Sequence, residues 1–216
     1  MQENKKTYTH VIWDFNGTIL DDLDIGIDAA NQMLRARGLA EIPSRDAYRA
    51  LMRFPIQDYY ADLGFDFEKE DYFRVLAPEW VALYEAQVER CGLVAEVAET
   101  LASVKDKGVH QLVLSAANLE QLHRLLRHLG VEDYFEEVLG VSDFYAVGKT
   151  ALAKDWRERH PKAVPLFIGD TDHDALAAQT MGADCLLFTG GHQTKERLSA
   201  CGKPLIDRIG SLLDWL

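Results

Sequence analysis

The chain has 216 residues, a length that suits one domain or one domain with a modest insertion. Hydrophobic residues make up 48 % of it and charged residues 27 %, which argues against a disordered or fibrous chain. The 35 acidic residues outnumber the 23 basic ones, and the net charge of −12 argues against a protein that coats nucleic acid or an anionic membrane.

Short β-branched and aromatic runs predict five strands that alternate with helical patterns. The predicted strands cover residues 8–13, 111–114, 137–141, 165–168 and 185–189. A leucine repeat predicts a helix between Asn118 and Gly130, and a second helix covers residues 174–181. Leu198 and residues 209–216 indicate closing helices. This alternation predicts an α/β fold with a doubly wound, mainly parallel sheet.

Residues 22–90 interrupt the alternation because they carry helical patterns and no convincing strand. A crossover between parallel strands needs only about 10–15 residues, so nearly 70 residues are far more than the connection requires. We therefore expect a small all-helical cap domain at 22–90, inserted after the first strand. Residues 1–21 and 91–216 then form the α/β core domain.

The cysteines and the apolar segments bear on the compartment. Cys91, Cys185 and Cys201 are scattered without CxxC spacing, which disfavours a disulfide scaffold or a structural zinc site. No apolar run approaches the ~20 residues that span a bilayer, and residues 1–6 lack the apolar core of a signal peptide. We expect a cytoplasmic protein with no membrane and no nucleic-acid partner, as a monomer or homodimer.

Two polar segments follow the first two predicted strands, where ligands bind in open parallel sheets. Asp14-Phe-Asn-Gly-Thr18 comes directly after the first strand, although Asn-Gly is also a common turn dipeptide. Ser115 follows the second strand, where a hydroxyl and free backbone N–H groups at a helix start suit a phosphate oxygen. An ordinary helix cap is the alternative explanation for Ser115.

Two charged segments occupy equivalent places later in the chain. Lys149 stands at a predicted helix start, where the helix dipole opposes a cation and an anionic partner is favourable; an exposed lysine is the alternative. A buried strand leads into Asp170, Asp172 and Asp174, whose carboxylates are ligands that Mg²⁺ prefers. Acidic enrichment at a helix N-terminus explains Asp172 well, but not all three carboxylates.

Together these four segments resemble the haloacid dehalogenase superfamily, in particular its phosphoglycolate-phosphatase-like branch with a helical cap. The resemblance covers essentially the whole chain, with the motifs in the family order, and implies a Rossmann-like core. It implies that Asp14 is the catalytic nucleophile and that Lys149 assists it. The implied Mg²⁺ ligands are Asp14, the backbone carbonyl of Asn16, Asp170 and Asp174. The implied phosphate-binding residues are Thr18, Ser115, Ala116 and Lys149.

In this family the cap sets much of the specificity. Arg53, Gln57 and Tyr59 surround Phe54-Pro55 in the predicted cap, and we take them as candidate substrate contacts. An exposed helix face is the alternative for each of the three. The substrate that the resemblance implies is a small phosphorylated metabolite, hydrolysed with Mg²⁺ through an aspartyl-phosphate intermediate.

One residue departs from the family pattern. The phosphatases carry a second Asp two positions after the nucleophile as general acid and base, and this chain has Asn16 there. An amide does not exchange a proton near neutral pH, and a positioned acid–base group is typically worth ~10²–10⁴-fold in rate. His173 is a candidate replacement. A phosphotransferase, a phosphonate-cleaving relative and a catalytically weakened fold that binds a phosphorylated ligand or protein partner remain alternatives.

Overall fold

The computed structural model describes residues 7–141 and 148–216. Its centre is a six-stranded sheet in which every described pair of neighbouring strands is parallel. The strands are β1 (His10–Trp13), β2 (His110–Asn118), β3 (Glu137–Val141), β4 (Pro165–Gly169), β5 (Asp184–Phe188) and β6 (Leu205–Ile206). They lie side by side in the order β3-β2-β1-β4-β5-β6. The predicted doubly wound parallel α/β sheet is confirmed.

The strands are apolar on both faces because helices cover both sides of the sheet. In β1, Val11 and Trp13 belong to one hydrophobic cluster, whereas Ile12 belongs to a cluster on the other side. Ile168 and Phe167 of β4 divide between the same two clusters. Successive side chains of a strand point to opposite faces, so these short runs anchor two layers of helices at once.

The helices follow in chain order. They are α1 (Leu23–Ala36), α2 (Arg45–Leu51), α3 (Ile56–Asp62), α4 (Ala77–Glu85), α5 (Val97–Asp106), α6 (Leu119–His128), α7 (Lys149–Arg159), α8 (Asp172–Met181) and α9 (Lys195–Ser199). A π-helical turn covers Tyr72–Leu76, and 3₁₀ turns cover Val88–Arg90, Glu132–Tyr134 and Ile209–Asp214. In the described part of the chain, no helix is both long and apolar enough to cross a membrane.

The structure differs from the sequence predictions at two strands. Strand β2 continues to Asn118, with an irregular register between Leu114 and Asn118, so Ser115 lies inside a strand rather than at a helix start. The predicted cap of α6 is in place, because the Asn118 side chain accepts from the backbone N–H groups of Glu120 and Gln121. Strand β6 was not predicted, since two residues are too few to show an alternation.

Helices α1 to α4 form a layer beyond the carboxyl ends of the central strands and have a hydrophobic cluster of their own. Residues 22–90 contain no strand. The two chain segments that join this layer to the sheet run beside each other, because Asp21 N–H donates to Gly92 O at 3.0 Å and Val94 N–H donates to Ile19 O at 2.9 Å. The division into a cap at 22–90 and a core at 1–21 and 91–216 stays a prediction, and the two names are used below in that sense.

Candidate active site

The strand order reverses between β1 and β4, and two aspartates stand at their carboxyl ends. Asp14 follows β1 and Asp170 follows β4, while Asp174 lies in the first turn of α8. One carboxylate oxygen from each of these three buried residues lies within 4.8 Å of the others. The fold therefore brings together the three predicted acidic metal ligands, of which Asp14 is also the predicted nucleophile.

Lys149, the first residue of α7, is buried against this cluster. Its Nζ donates to Asp14 Oδ1 and Asp174 Oδ1. Burial lowers the pKa of the Lys149 ammonium, but the two carboxylates outweigh burial and hold the pKa above its ordinary value. Lys149 is thus a cation held on the carboxylates, and the alternative of an exposed lysine is excluded.

Asp174 is fixed by the start of its own helix. Its Oδ2 accepts from Thr171 N at 2.9 Å, from Thr171 Oγ1 at 2.7 Å and from Asp170 N at 3.1 Å. Burial would raise the pKa of the Asp174 carboxyl, but Lys149 and these donors hold it below its usual range. A side chain at Gly169 would approach Asp174 Cγ to 2.4 Å, so glycine is needed at the end of β4.

Asp170 is compensated less well. Its Oδ1 accepts from the Thr18 hydroxyl at 3.1 Å, and its Oδ2 accepts from the backbone N–H of His192 at 2.6 Å. Burial and the charge of Asp174 raise the pKa of the Asp170 carboxyl, although His192 opposes the rise. Thr18 is fully buried and holds Asp170, so the structure places its hydroxyl on a carboxylate rather than on the cavity.

The donor set fits a divalent cation. Burial and Asp174 raise the pKa of the Asp14 carboxyl well above its ordinary value, even though Lys149 lowers it. Asp14 and Asp170 are therefore costly to ionise even with Lys149 and His192 nearby. A dication would favour the charged forms, and oxygen ligands are those that Mg²⁺ takes.

Asn16 belongs to a second cluster that the sequence did not predict. Its amide Nδ2 donates to Asp22 Oδ2 at 2.8 Å and to the Tyr84 hydroxyl at 2.8 Å. Asp22 is buried, and it also accepts from Tyr84 at 2.7 Å and from Gly17 N–H at 2.9 Å. The amide at position 16 thus serves as a donor to a neighbouring carboxylate.

His192 completes this second cluster. Its Nε2 lies 3.2 Å from Asp22 Oδ1 and its Nδ1 lies 2.9 Å from the Tyr48 hydroxyl. Burial lowers the pKa of the imidazole, but Asp22 more than offsets this and raises the pKa to about 9. Asp22 and His192 therefore form a buried ion pair beside Asn16. The two residues are 170 positions apart in the sequence, and no sequence pattern indicates their contact.

A cavity of about 400 Å³ lies between the strand ends and the cap. At the strand ends, which form the floor of the cavity, Asp14, Asn16, Ser115, Ala116 and Lys149 line it, whereas Thr18, Asp170 and Asp174 are buried beneath them. The Ser115 hydroxyl oxygen accepts from Ala117 N–H at 3.1 Å. Three of the four predicted phosphate-binding residues thus line the cavity, and the fourth, Thr18, does not.

Of the three candidate substrate contacts in the cap, one lines the cavity. Tyr59 lines the cavity, whereas Arg53 and Gln57 do not. The Arg53 guanidinium donates to Asp62 Oδ1 at 2.9 Å, so it is engaged on the cap surface. His173 also lines the cavity, with its ring 4.8 Å from that of Phe54, and burial lowers its pKa.

Comparison with known proteins identifies the family of the chain. Residues 11–188 match the haloacid dehalogenase-like hydrolase family, which is most of the chain. The chain belongs to this family.

Similar proteins cover nearly the same length. A phosphoglycolate phosphatase of Vibrio vulnificus is 26 % identical over 225 aligned residues, covering 94 % of each chain. The tyrosine-protein kinase PtkA of Mycobacterium tuberculosis is 25 % identical over 190 residues, covering 84 % of this chain and 62 % of that protein. A haloacid dehalogenase-like family protein from Streptococcus pneumoniae shares the fold, with a TM-score of 0.81 at 19 % identity, covering 96 % of this chain and 98 % of that one.

Proposed function

We propose that this hydrolase is a Mg²⁺-dependent phosphatase that acts on a small phosphorylated metabolite through an aspartyl-phosphate intermediate. The observation that carries the proposal is the contact of Asp14 with Lys149 at the floor of the cavity, beside Asp170 and Asp174. The similarity to phosphoglycolate phosphatases supports the reaction class.

Each residue of the floor has a role in this proposal. An oxygen of Asp14 attacks phosphorus while the bond from phosphorus to the ester oxygen breaks and the alkoxide or phenoxide departs. The Lys149 ammonium and the Ser115 hydroxyl hold oxygens of the transferring group. Asp14, the Asn16 carbonyl, Asp170 and Asp174 are the proposed metal ligands. When bound, Mg²⁺ supplies positive charge that keeps the carboxylates ionised and offsets the charge of the phosphoryl group. Thr18 supports the site through Asp170.

Asn16 determines which half-reactions are fast. Its amide is a donor to Asp22 and gives no proton to a leaving alkoxide. We therefore expect aryl or acyl phosphates, whose leaving groups are weak bases, to phosphorylate Asp14 faster than alkyl phosphates do. The second half-reaction needs a base for water, so the intermediate should accumulate with such substrates.

A phosphotransferase is the second candidate, and two observations favour it. Asn16 weakens the activation of water, and the chain resembles a protein named as a tyrosine kinase. Phosphonate cleavage with a Schiff base is disfavoured, because Lys69, the lysine of the cap, is exposed and pairs with Asp66 at 2.8 Å. A catalytically weakened fold is disfavoured because Asp14, Lys149 and the acidic pair are all in place.

A panel of phosphate esters, assayed with and without Mg²⁺, tests the proposal. Released inorganic phosphate and one added phosphoryl mass on the intact protein are expected with Mg²⁺, and both should be absent in Asp14→Asn. Phosphate that passes to an alcohol or to a protein hydroxyl in place of water would favour the phosphotransferase. Chelator-resistant hydrolysis would contradict the metal role.

The compartment and the assembly belong to the same proposal. Cys91, Cys185 and Cys201 are free thiols, in keeping with a reducing cytoplasm. We propose a cytoplasmic monomer or homodimer whose partner is its small phosphorylated substrate.

A further inference from the structure

We infer that the group attached to the phosphate is uncharged and largely apolar or aromatic, and that Tyr59 hydrogen-bonds to a neutral polar atom on it. The inference rests on the proposed phosphatase function and adds a substrate class. It differs from a substrate such as phosphoglycolate, which carries a carboxylate next to its phosphate.

The first observation is the composition of the cavity wall. Seven aromatic side chains of the cap line the cavity, together with Met52, Ile56 and Val81. The aromatic residues are Tyr48, Phe54, Tyr59, Tyr60, Tyr72, Trp80 and Tyr84. Aromatic faces bind apolar and ring-containing groups through buried area and ring contacts. A volume of about 400 Å³ is large enough for a whole small organic ligand.

The second observation is the charge of the wall. Among the described residues of the cap that line the cavity there is no Lys or Arg, and the charged ones are the acidic Asp22 and Glu85. Glu85 accepts from Arg124, which does not line the cavity. A carboxylate placed near this wall therefore finds no free cation.

The cations at the floor are already engaged. The Lys149 ammonium donates to Asp14 and Asp174, and in our proposal it also meets the phosphoryl group. His192 faces Asp22 and Tyr48. A second anionic group on the substrate would lose its hydration without gaining a partner, which costs more than the loss of a neutral hydrogen bond.

The third observation is an unpartnered hydroxyl. Tyr59 lines the cavity and is only 3 % exposed, and its buried hydroxyl has no hydrogen-bond partner among the described residues. Its ring stands edge-on to Tyr48 and to Tyr60, with centroids 5.9 and 5.8 Å away. A buried hydroxyl is normally satisfied, so a hydroxyl, ether or carbonyl of the substrate is the expected partner.

Matched alkyl phosphates separate charge from leaving-group basicity. Benzyl phosphate, 4-(hydroxymethyl)benzyl phosphate and 4-carboxybenzyl phosphate all release a primary alkoxide, as does 2-phosphoglycolate. We expect kcat/KM for the two neutral esters to exceed that for the two carboxylates by roughly 10- to 100-fold. Equal rates, or a preference for the carboxylates, would overturn the inference.

A charge variant tests the wall directly. Ile56→Lys places a cation at the cavity, and it should lower the preference for benzyl over 4-carboxybenzyl phosphate by about tenfold. Ala61→Lys is the matched control, because Ala61 is an exposed residue of the same helix and does not line the cavity. An unchanged preference in Ile56→Lys would contradict the charge argument.

Tyr59→Phe tests the hydroxyl. We expect the ratio of kcat/KM for 4-(hydroxymethyl)benzyl phosphate to kcat/KM for benzyl phosphate to fall roughly 3- to 10-fold. Equal losses on both esters would show a merely structural role for Tyr59.

Calorimetric titration of the same four phosphate esters into the Asp14→Asn protein with Mg²⁺ separates this inference from the proposed function. If the wild-type protein turns over none of the esters, the phosphatase proposal is rejected, while the order of their affinities for Asp14→Asn still decides the substrate class. Tighter binding of the carboxylates would reject the substrate class alone.

Discussion

The floor and the wall of the cavity differ in almost every physical respect. The floor consists of titratable groups at strand ends and helix starts, with Lys149 in direct contact with Asp14 and Asp174. The wall consists of aromatic and aliphatic side chains from the cap helices. In our proposal the floor binds and transfers the phosphoryl group, and the wall contacts the rest of the substrate. The proposal therefore assigns reaction class and substrate choice to different layers of the fold.

One loop contacts both layers. The backbone N–H of His192 holds Asp170 of the floor, and the His192 ring contacts Tyr48 of the cap. Arg49 of α2 donates to the carbonyls of Gly190 and Gly191 at 2.8 and 2.7 Å. A side chain at Gly191 would approach Asp170 Oδ2 to 2.1 Å. The loop at 190–192 thus ties the position of the cap to the geometry of the floor.

Asp14→Asn should have the largest effect on activity and should lower the rate with every substrate to a similar extent. Removing the nucleophile is expected to lower kcat/KM by at least about 10³-fold for neutral and carboxylated esters together. The measurement is phosphate release across the ester panel, with circular dichroism to confirm the fold. A variant that keeps a tenth of the activity would refute the nucleophile, and an effect confined to some esters would break the distinction between floor and wall.

The second prediction concerns the boundary between the layers, at Asn16 and Asp22. Asn16→Asp alone sets a carboxylate against Asp22, which lies 2.8 Å from the present amide, so one of the two must hold a proton. The double variant, which combines Asn16→Asp with Asp22→Asn, keeps an amide beside a carboxylate. We expect it to speed hydrolysis of benzyl phosphate, approaching the ~10²–10⁴-fold of a positioned acid–base group, and the single variant to gain less.

The readouts are kcat/KM and the lifetime of the phosphorylated protein by mass spectrometry, which should shorten in the double variant. Asp22→Asn alone is the control for the loss of the Asp22 charge. Rates that stay unchanged or fall in both variants that carry Asn16→Asp would mean that another group moves the proton. His173, which lines the cavity, is then the first residue to substitute.

The sequence predicts the floor better than the wall for a physical reason. Asp14 and Asp170 directly follow short apolar strands, and the carboxyl ends of parallel strands lie at one edge of the sheet. Local patterns therefore suffice to bring the floor together, including Lys149 at a helix start.

The wall and the second cluster depend on how separate helices pack, which local patterns do not specify. Arg53, Gln57 and Tyr59 are close in sequence, yet only Tyr59 lines the cavity. Asp22 contacts His192 across 170 positions of the chain, and no spacing rule predicts such a contact. The predicted position of Ser115 at a helix start is wrong, because the strand continues to Asn118, past the end of its apolar run.

The smallest effect we predict is on stability, at Asp170 of the floor. Asp170→Asn removes the charge near Asp174 and can keep the local hydrogen bonds, because its carbonyl can accept from His192 N–H while its amide donates to Thr18 Oγ1. In a chelator the variant should unfold at a higher temperature than the wild type. Each kcal/mol of stabilisation corresponds to roughly 2–4 °C for a chain of this size.

The pH dependence gives this prediction its sign. Burial and Asp174 raise the pKa of the Asp170 carboxyl, so the folded protein binds this proton more tightly than the unfolded chain does. The contribution of Asp170 to the free energy of unfolding therefore falls as pH rises above about 3.9 and up to the raised folded pKa. In thermal melts with chelator, the higher unfolding temperature of Asp170→Asn should therefore be absent in acid and appear as pH rises through that interval.

Added Mg²⁺ should reverse the order of the two unfolding temperatures, because it stabilises the wild type by binding. A variant that is less stable at every pH in chelator would contradict the repulsion argument, and failure of Mg²⁺ to stabilise the wild type would contradict the metal site itself.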